Sequence, residues 1–341
     1  MTDGVDIVSV AESMIGGPVK LTAGSKLGGN NRLYHLLGPG ESRYALKTYY
    51  NGSDEFHSGL DTEYEALTFL FNSGVRNVPT PVARDKARQC GIYEWIDGTN
   101  IVEVNLDDID RTLSFLRDLH QLRSDGQAGA LPLAREACLS AEELLRQLIA
   151  KQRQLMKQAA FFGDLARFLR DEFDQIFVAG VQEARRQFRA EGIHFGSSLA
   201  KVYQTLSPSD FGFHNALRTG DGNIAFVDFE YFGWDDPVKL VSDFLLHPGM
   251  KLTAKTSRHF AEGAAEIYAD DSSYKTRLRL LYPLYAIRWS LIVLNEFLPT
   301  KWQQRRYAGE SVDRMSILSA QLAKARHFIK SVNDVGTFYV S

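Results

Sequence analysis

The spacing of apolar residues changes character once along this 341-residue chain, near Gly98, and that change limits the folds open to it. Before Gly98, short runs rich in β-formers lie at 43–49 and 89–96, and the second ends on the turn pair Asp97-Gly98. One helix interrupts these strands. Tyr64, Leu67, Phe69, Leu70 and Phe71 supply its apolar contacts, and Asp61 or Thr62 its N-cap. Pro79 and Pro81 then force extended chain. After Gly98 the period becomes helical. Ile109, Leu113, Leu116, Leu119 and His120 fall near one face of 106–122, and Leu165, Phe168, Leu169, Phe173, Ile176 and Phe177 repeat the pattern. Leu278, Leu280, Leu281, Leu284, Ile287 and Leu291 do so again. One sheet-like island, 201–230, carries a short strand at 223–229. A small β-rich lobe, residues 1–96, followed by a larger helical lobe, residues 97–341, is an α+β bilobal pattern, and a cleft between lobes is where a small ligand is expected.

Composition removes several alternatives. At 44 % hydrophobic and 24 % charged residues the chain has enough apolar side chains for a sizeable core. The formal net charge of −3, without a basic stripe, argues against a nucleic-acid partner. The most apolar helical stretch, 283–299, is interrupted by Arg288, Asn295 and Glu296 and is short for a bilayer, so no membrane partner is expected. MTDGVDIVSV has neither the basic nor the apolar region of a signal peptide, which predicts a cytoplasmic protein. Cys90 and Cys138 are too few for a disulfide framework or a zinc site and read as packing residues.

The chemistry concentrates in LSPSDFGFHNALRTGDGNIAFVDFE, residues 206–230. Asp210 is followed five residues later by Asn215, then by a turn, an apolar strand and Asp228. Phosphoryl transfer from a nucleotide needs a carboxylate that orients the attacking hydroxyl, together with an amide and a second carboxylate that hold Mg²⁺ against the phosphates. Taken alone, Asp-x4-Asn is equally an Asx turn; Asp228 and the strand before it favour the catalytic reading.

This segment resembles the catalytic loop and metal-binding motif of the aminoglycoside phosphotransferase and choline kinase superfamily, which has a protein-kinase-like fold. The resemblance implies that Asp210 is the catalytic base, that Asn215 and Asp228 are metal ligands, and that Asp243 braces the catalytic loop. It implies an enzyme that transfers a phosphoryl group to an alcohol, with ATP and Mg²⁺ as cofactors. There is one departure. The family's histidine two residues before the base is Pro208 here, and its glycine is Ser209. Pro208 also supports the alternative of a catalytically idle, kinase-like binding protein. A kinase acting on protein is disfavoured, because the stretch between Asp228 and Asp243 is too short for an activation segment.

The N-terminal part supplies the other pieces the resemblance asks for. Lys47, in Tyr44-Ala45-Leu46-Lys47-Thr48, resembles the strand lysine that touches the α- and β-phosphates. Glu63 falls where the helix glutamate that holds this lysine falls, and helical phase favours it over Glu65. Gly24-Ser25-Lys26-Leu27-Gly28-Gly29-Asn30-Asn31-Arg32 looks like the family's nucleotide-positioning loop, with Gly28, Gly29 and Asn30 next to phosphate, and is also a good hairpin turn. Glu94 and Ile96 occupy the place of the hinge that binds adenine through backbone groups, and His120 resembles a helix histidine of the family that here reads as core. For a small-molecule acceptor, the sequence offers Glu230, Tyr231, Trp234, Asp235, Asp236, Trp289 and Glu296. Carboxylates beside aromatics lean towards a cationic acceptor such as an amino alcohol or aminoglycoside, with a sugar also compatible. Apolar spacing makes Trp289 and its neighbours core first.

Overall fold

The structure, a computed structural model, describes residues 6–27, 31–50, 59–307 and 313–335. The chain divides into two compact units, residues 1–101, 215–232 and 303–311 in the first, and 102–214, 233–302 and 312–341 in the second.

The first unit contains a five-stranded antiparallel sheet. Its strands are β1 (Lys20–Leu27), β2 (Arg32–Leu37), β3 (Arg43–Thr48), β4 (Pro81–Asp85) and β5 (Cys90–Glu94), in the order β1-β2-β3-β5-β4. Helix α1 (Ile7–Ile15) is absent from the sequence reading, which has only strands and turns before residue 59. Its ends carry recognisable signals: Asp6 caps the N-terminus by accepting from the Val8 N–H at 3.1 Å, and Gly16 closes it at φ 78°. Val10 and Ala11 of α1 pack with Val19, Leu36, Leu46, Cys90 and Ile92 of the sheet, so the helix is held by the core it covers. Burial pushes the Cys90 thiol up to about 11, which fits a packing cysteine.

Helix α2 (Gly59–Asn72) buries Leu60, Glu63, Ala66, Leu67, Phe69 and Leu70. Asp61 and Thr62, expected as caps, lie inside it, and Asp61 instead pairs with Arg84 at 2.8 Å, because the helix starts earlier than the apolar period suggests. The short strand β6 (Gly98–Asn100) begins at the expected turn pair and joins a second sheet described below.

The second unit is mostly helical: α3 (Leu106–Leu122), α4 (Ala141–Ala159), α5 (Gly163–Arg167), α6 (Asp174–Ala190), α7 (Pro237–Leu246), α8 (Ala254–Ile267), α9 (Tyr274–Ile292) and α11 (Arg314–Val335); α10 (Pro299–Tyr307) is divided, with residues 303–307 in the first unit. A capping box between Asn105 and Asp108 starts α3. Between α5 and α6 the chain makes a π-helical turn at Phe168–Phe173, so the apolar residues read as one α-period are spread over a wider turn that buries Phe168, Leu169 and Phe173. Among the described residues no helix is long and apolar enough to cross a membrane.

The island at 201–230 is shorter in strand content than its sequence suggests. It consists of β7 (Thr205–Ser207), paired with β10 (Gly233–Asp235) in the second unit, and of the hairpin β8 (Ala216–Thr219) and β9 (Ile224–Phe226), which joins β6 in the first. Asp228 therefore sits two residues beyond a strand end, not at it.

Candidate active site

In the first unit the sheet's two-residue period decides what faces the site. Leu46 points into the apolar core, so Lys47 and Tyr49 share the other face. Gly91 pairs with Lys47, and a side chain there would collide with the Tyr93 ring; its absence lets Tyr93 reach the Tyr49 hydroxyl at 2.7 Å. Lys47 Nζ donates to Glu63 Oε2 at 2.6 Å and to Asp228 Oδ1 at 2.5 Å. The same Glu63 oxygen accepts from Tyr49 Oη at 2.6 Å, and Glu63 Oε1 accepts from the Phe229 N–H at 3.2 Å. Glu63 thus fixes both the lysine and the backbone next to Asp228. Glu65 instead faces Arg84 at 3.1 Å, on another side of the helix.

Asn215 is held beside Asp228 by the hairpin. Ala216 pairs with Phe226, and one step further the Val227 N–H donates to the Asn215 carbonyl at 2.9 Å. Asp228 adopts φ 70°, a left-handed conformation that costs a non-glycine residue on the order of 1 kcal/mol and that clusters at functional sites. Glu230 lies close by, and its Oε2 accepts from Asn31 Nδ2 at 2.7 Å. Three carboxylates, Glu63, Asp228 and Glu230, therefore act on one ammonium. Burial would lower the Lys47 pKa, but Asp228, Glu63 and Glu230 outweigh it and hold the lysine protonated. Burial, with Glu230 and Glu63, pushes the Asp228 carboxyl up against the pull of Lys47. A surplus of carboxylates beside a side-chain amide is a donor set that suits a hard divalent cation.

Gly28, Gly29 and Asn30 lie outside the described residues; Gly24–Leu27 belong to β1. At the expected hinge, the Glu94 N–H donates to the Thr80 carbonyl and the Trp95 N–H to the Arg43 carbonyl. The N–H of Ile96 has no backbone partner among the described residues.

In the second unit, β7 leads through Pro208 into a tight turn. Ser209 takes φ 67°, and the Asp210 N–H donates to the Pro208 carbonyl at 2.9 Å. The turn is tied down on several sides. Ser207 Oγ accepts from the Ser209 N–H at 3.0 Å, and Ser209 Oγ donates to the Arg135 carbonyl at 3.0 Å. Phe211 and Phe213 are buried against Phe115 and Phe244, while the Asp210 side chain between β7 and these anchors stays 44 % exposed. Among the described residues Asp243 forms no hydrogen bond or ion pair with the loop. It accepts from Trp289 Nε1 at 2.9 Å and from Arg288, and it meets Lys239 Nζ at 3.2 Å. Lys239 in turn lies 3.5 Å from Ser209 Oγ, so Asp243 braces the turn through Lys239.

Sequence reasoning missed two histidines. His214 Nε2 lies 2.9 Å from Asp210 Oδ1, and its ring stacks on that of His247 at a centroid distance of 3.8 Å. His247 Nδ1 accepts from the Gly249 N–H at 3.1 Å, and its ring meets Trp289 edge-on. Burial and the neighbouring His214 lower the His247 pKa to about 4. His214 was visible as a polar residue within the Asp210–Asn215 loop, whereas His247 is distant in sequence and carries no motif. His120 packs edge-on against Tyr268 in the interior, as its helical position implies. The acceptor candidates are largely engaged. Asp235 pairs with Lys239 at 2.9 Å, Asp236 caps α7 and bonds Arg277, Trp234 is buried with Nε1 on the Ala128 carbonyl, and Trp289 holds Asp243.

The chain is similar to spectinomycin phosphotransferase, solved with ADP and spectinomycin, at 13 % identity and a TM-score of 0.60 over 96 % of this chain and 97 % of that one. A choline kinase from Cryptosporidium parvum matches at 14 % identity and a TM-score of 0.58, covering 98 % and 97 %. An ethanolamine kinase from Plasmodium vivax matches at 15 % identity and a TM-score of 0.53, covering 95 % and 84 %. These likenesses establish the α+β, protein-kinase-like fold. Comparison with curated sequences gives no match. The model of the phosphotransferase enzyme family matches residues 26–281, three quarters of the sequence, and the chain belongs to that family.

Proposed function

We propose that this protein is an ATP-dependent kinase that phosphorylates a hydroxyl group of a small molecule. The observation that carries the reading is the constellation in the first unit, where Lys47 is clamped between Glu63 and Asp228 with Asn215 held one hairpin step away. Residues 1–96 together with the hairpin at 216–226 would serve the nucleotide, and the helical remainder the acceptor. Asn215 and Asp228 would hold Mg²⁺, and the surplus of carboxylate around Lys47 fits that role. When bound, Mg·ATP supplies the phosphoryl group and part of the charge neutralisation.

The protein's share is positioning and electrostatics. Lys47, held protonated and fixed by Glu63, presents its ammonium to the α- and β-phosphates. Glu63 also fixes the Phe229 amide, which keeps Asp228 in its left-handed conformation. Asp210 orients the acceptor hydroxyl and takes its proton. With Nε2 protonated, His214 donates to Asp210 Oδ1, so the proton passes to the other carboxylate oxygen. His247, kept neutral, backs the His214 ring without adding charge. Residues 28–30 and the hinge residues Glu94 and Ile96 are proposed to contact phosphate and adenine.

The test is ADP release from Mg·ATP with a panel of amino alcohols, sugars and aminoglycosides, wild type against Asp210→Asn. Turnover with one acceptor class should fall by about 10³-fold or more in the variant while nucleotide affinity stays the same. Near-normal turnover by Asp210→Asn would remove the base assignment, and failure of the wild type to bind Mg·ATP would remove the kinase.

A further inference from the structure

Among the described residues, the second unit keeps a mostly buried ammonium that forms no ion pair. Lys151 lies on α4 one turn beyond Gln147, whose amide donates to the carbonyls of Glu136 at 3.3 Å and Ala137 at 3.0 Å. Residues four apart share a helix face, so Lys151 is turned to the same segment. Its Nζ donates to the amide oxygen of Asn295 at 3.0 Å, and among the described residues it forms no ion pair. The carboxylate that attracts it, Glu136, is already bonded to Arg288 at 2.7 Å, and Arg288 also reaches Asp243. Lys301, Arg288 and Arg135 repel it. Burial and these three cations outweigh Glu136 and hold Lys151 below the usual lysine range. Glu136 has the opposite problem: burial would raise it, but Arg288, Lys151 and Lys239 pull it down to about 2. Glu136 is thus shared among several cations, and Arg288 holds it directly.

This cluster adjoins the proposed catalytic loop. The carbonyl of Arg135 holds Ser209, the residue before Asp210, and Lys239 approaches the same hydroxyl. A desolvated amine without a counter-ion is costly, and such groups concentrate where a ligand completes them. Of the acidic residues that on sequence lean towards a cationic acceptor, Asp235 is paired with Lys239 and Asp236 with Arg277, and Glu230 accepts from Asn31.

We propose that Lys151, with Arg135 and Arg288 beside it, forms an oxyanion subsite for the acceptor, so that the alcohol phosphorylated belongs to a molecule that also bears a carboxylate or a phosphate. The assignment rests on reading Asp210 as the base of a small-molecule kinase. Lys151 sets which acceptor is held, while Asp210 acts on its hydroxyl.

The experiment titrates inorganic phosphate and malonate, at constant ionic strength with chloride as reference, into wild type, Lys151→Met and Lys151→Arg, following Tm. Either anion should raise the Tm of the wild type, with its dissociation constant weakened by about tenfold or more in Lys151→Met and by less than about threefold in Lys151→Arg. Phosphate alone would indicate a phosphate-bearing acceptor, malonate alone a carboxylate-bearing one. Without anion, Lys151→Met should melt no lower than wild type, because an amine kept for a ligand is a strain on the empty fold; a lysine kept for structure would give a lower Tm. Equal anion shifts in wild type and Lys151→Met, or none in wild type with either anion, would overturn the subsite. Mg·ATP binding measured on the same wild-type sample separates the two readings: loss of nucleotide binding overturns the kinase, whereas nucleotide binding without an anion effect overturns only the subsite.

Discussion

Replacing Lys47 by methionine keeps the volume of the side chain and removes the ammonium that Glu63 and Asp228 share, and its cost can be worked from the contacts. Deleting one partner of a buried ion pair costs about 3–5 kcal/mol, because the other charge is left desolvated. Two features put this site at the low end. Glu63, 4 % exposed, keeps the Tyr49 hydroxyl and the Phe229 N–H, and Asp228, 35 % exposed, keeps contact with water. A loss of about 3 kcal/mol is expected, read as the shift in urea unfolding free energy at neutral pH. The pH dependence gives a sharper test. In the wild type, Lys47 is held above its ordinary value, so its contribution is complete at every pH below the ordinary lysine pKa and fades only in strong alkali. In the variant, Asp228, already pushed up by burial in the wild type, loses the downward pull of Lys47 and rises further. The added penalty is full where that carboxylate is ionised, near pH 8, and is relieved as it protonates towards pH 5. The gap between wild type and Lys47→Met should therefore narrow by about 1 kcal/mol or more from pH 8 to pH 5. ADP release should fall by about 10²–10³-fold, the usual effect of removing one preorganised donor from a developing anion. A gap under about 1 kcal/mol at pH 8, or one that widens as pH falls, would refute the energetic coupling of these three side chains.

Three further outcomes follow from the second unit. His214→Phe keeps the ring stack on His247 but removes the donor to Asp210; kcat should fall by about 10–100-fold with the KM for ATP unchanged, and His214→Gln should recover part of it, as steady-state kinetics will read. Lys239→Met leaves Asp235 and Asp243 buried without their shared cation, and unfolding in urea should show a loss of about 3–5 kcal/mol. Because the His247 pKa is lowered to about 4, the unfolded chain takes up its proton first as pH drops below 6.5, and wild type should lose about 1–2 kcal/mol from this residue between pH 7 and pH 5. His247→Phe should flatten that part of the profile, measured by urea unfolding at both pH values.

Legibility in the sequence followed the range of the interaction. The α+β character shows in the change of period near Gly98, because each element must bury one face locally. The approach of Glu63 to Lys47 is legible from helical phase, since Glu65 is turned two residues away and meets Arg84. The backbones of Asn215 and Val227, the residue before Asp228, pair at the base of one hairpin, whose turn residues lie between them in sequence. What escapes is whatever depends on distant segments. The bond between Asn31 and Glu230 spans most of the chain, and His247 finds His214 only because α7 carries it there. Lys151 reads as a solvent-facing helix lysine until Gln147 shows which face is packed. Helix α1 escapes for a different reason. It is only nine residues long and carries the β-branched Ile7, Val8, Val10 and Ile15, which favour a strand reading, although Asp6 and Gly16 mark its ends.

Pro208 bears on whether the protein is an enzyme or an idle relative, and the loop around it decides what its presence means. A histidine at that position would serve to hold the turn. Here the turn is held without one: Ser207 and Ser209 supply hydroxyls to the backbone, Lys239 reaches Ser209, and Phe211 and Phe213 bury on either side of Gly212. Gly212 is required in this arrangement, because a Cβ there would collide with the Met250 sulfur, which also accepts from the Phe213 N–H. A fixed φ at residue 208 lowers the entropy of the unfolded loop as well. His214, four residues after Asp210, bonds the carboxylate itself and not the backbone beneath it. A loop that had lost its task would have no reason to hold Asp210 by so many independent contacts, one of them to the carboxylate. Proline at 208 therefore leaves the turn held by other contacts, as the role proposed for Asp210 requires.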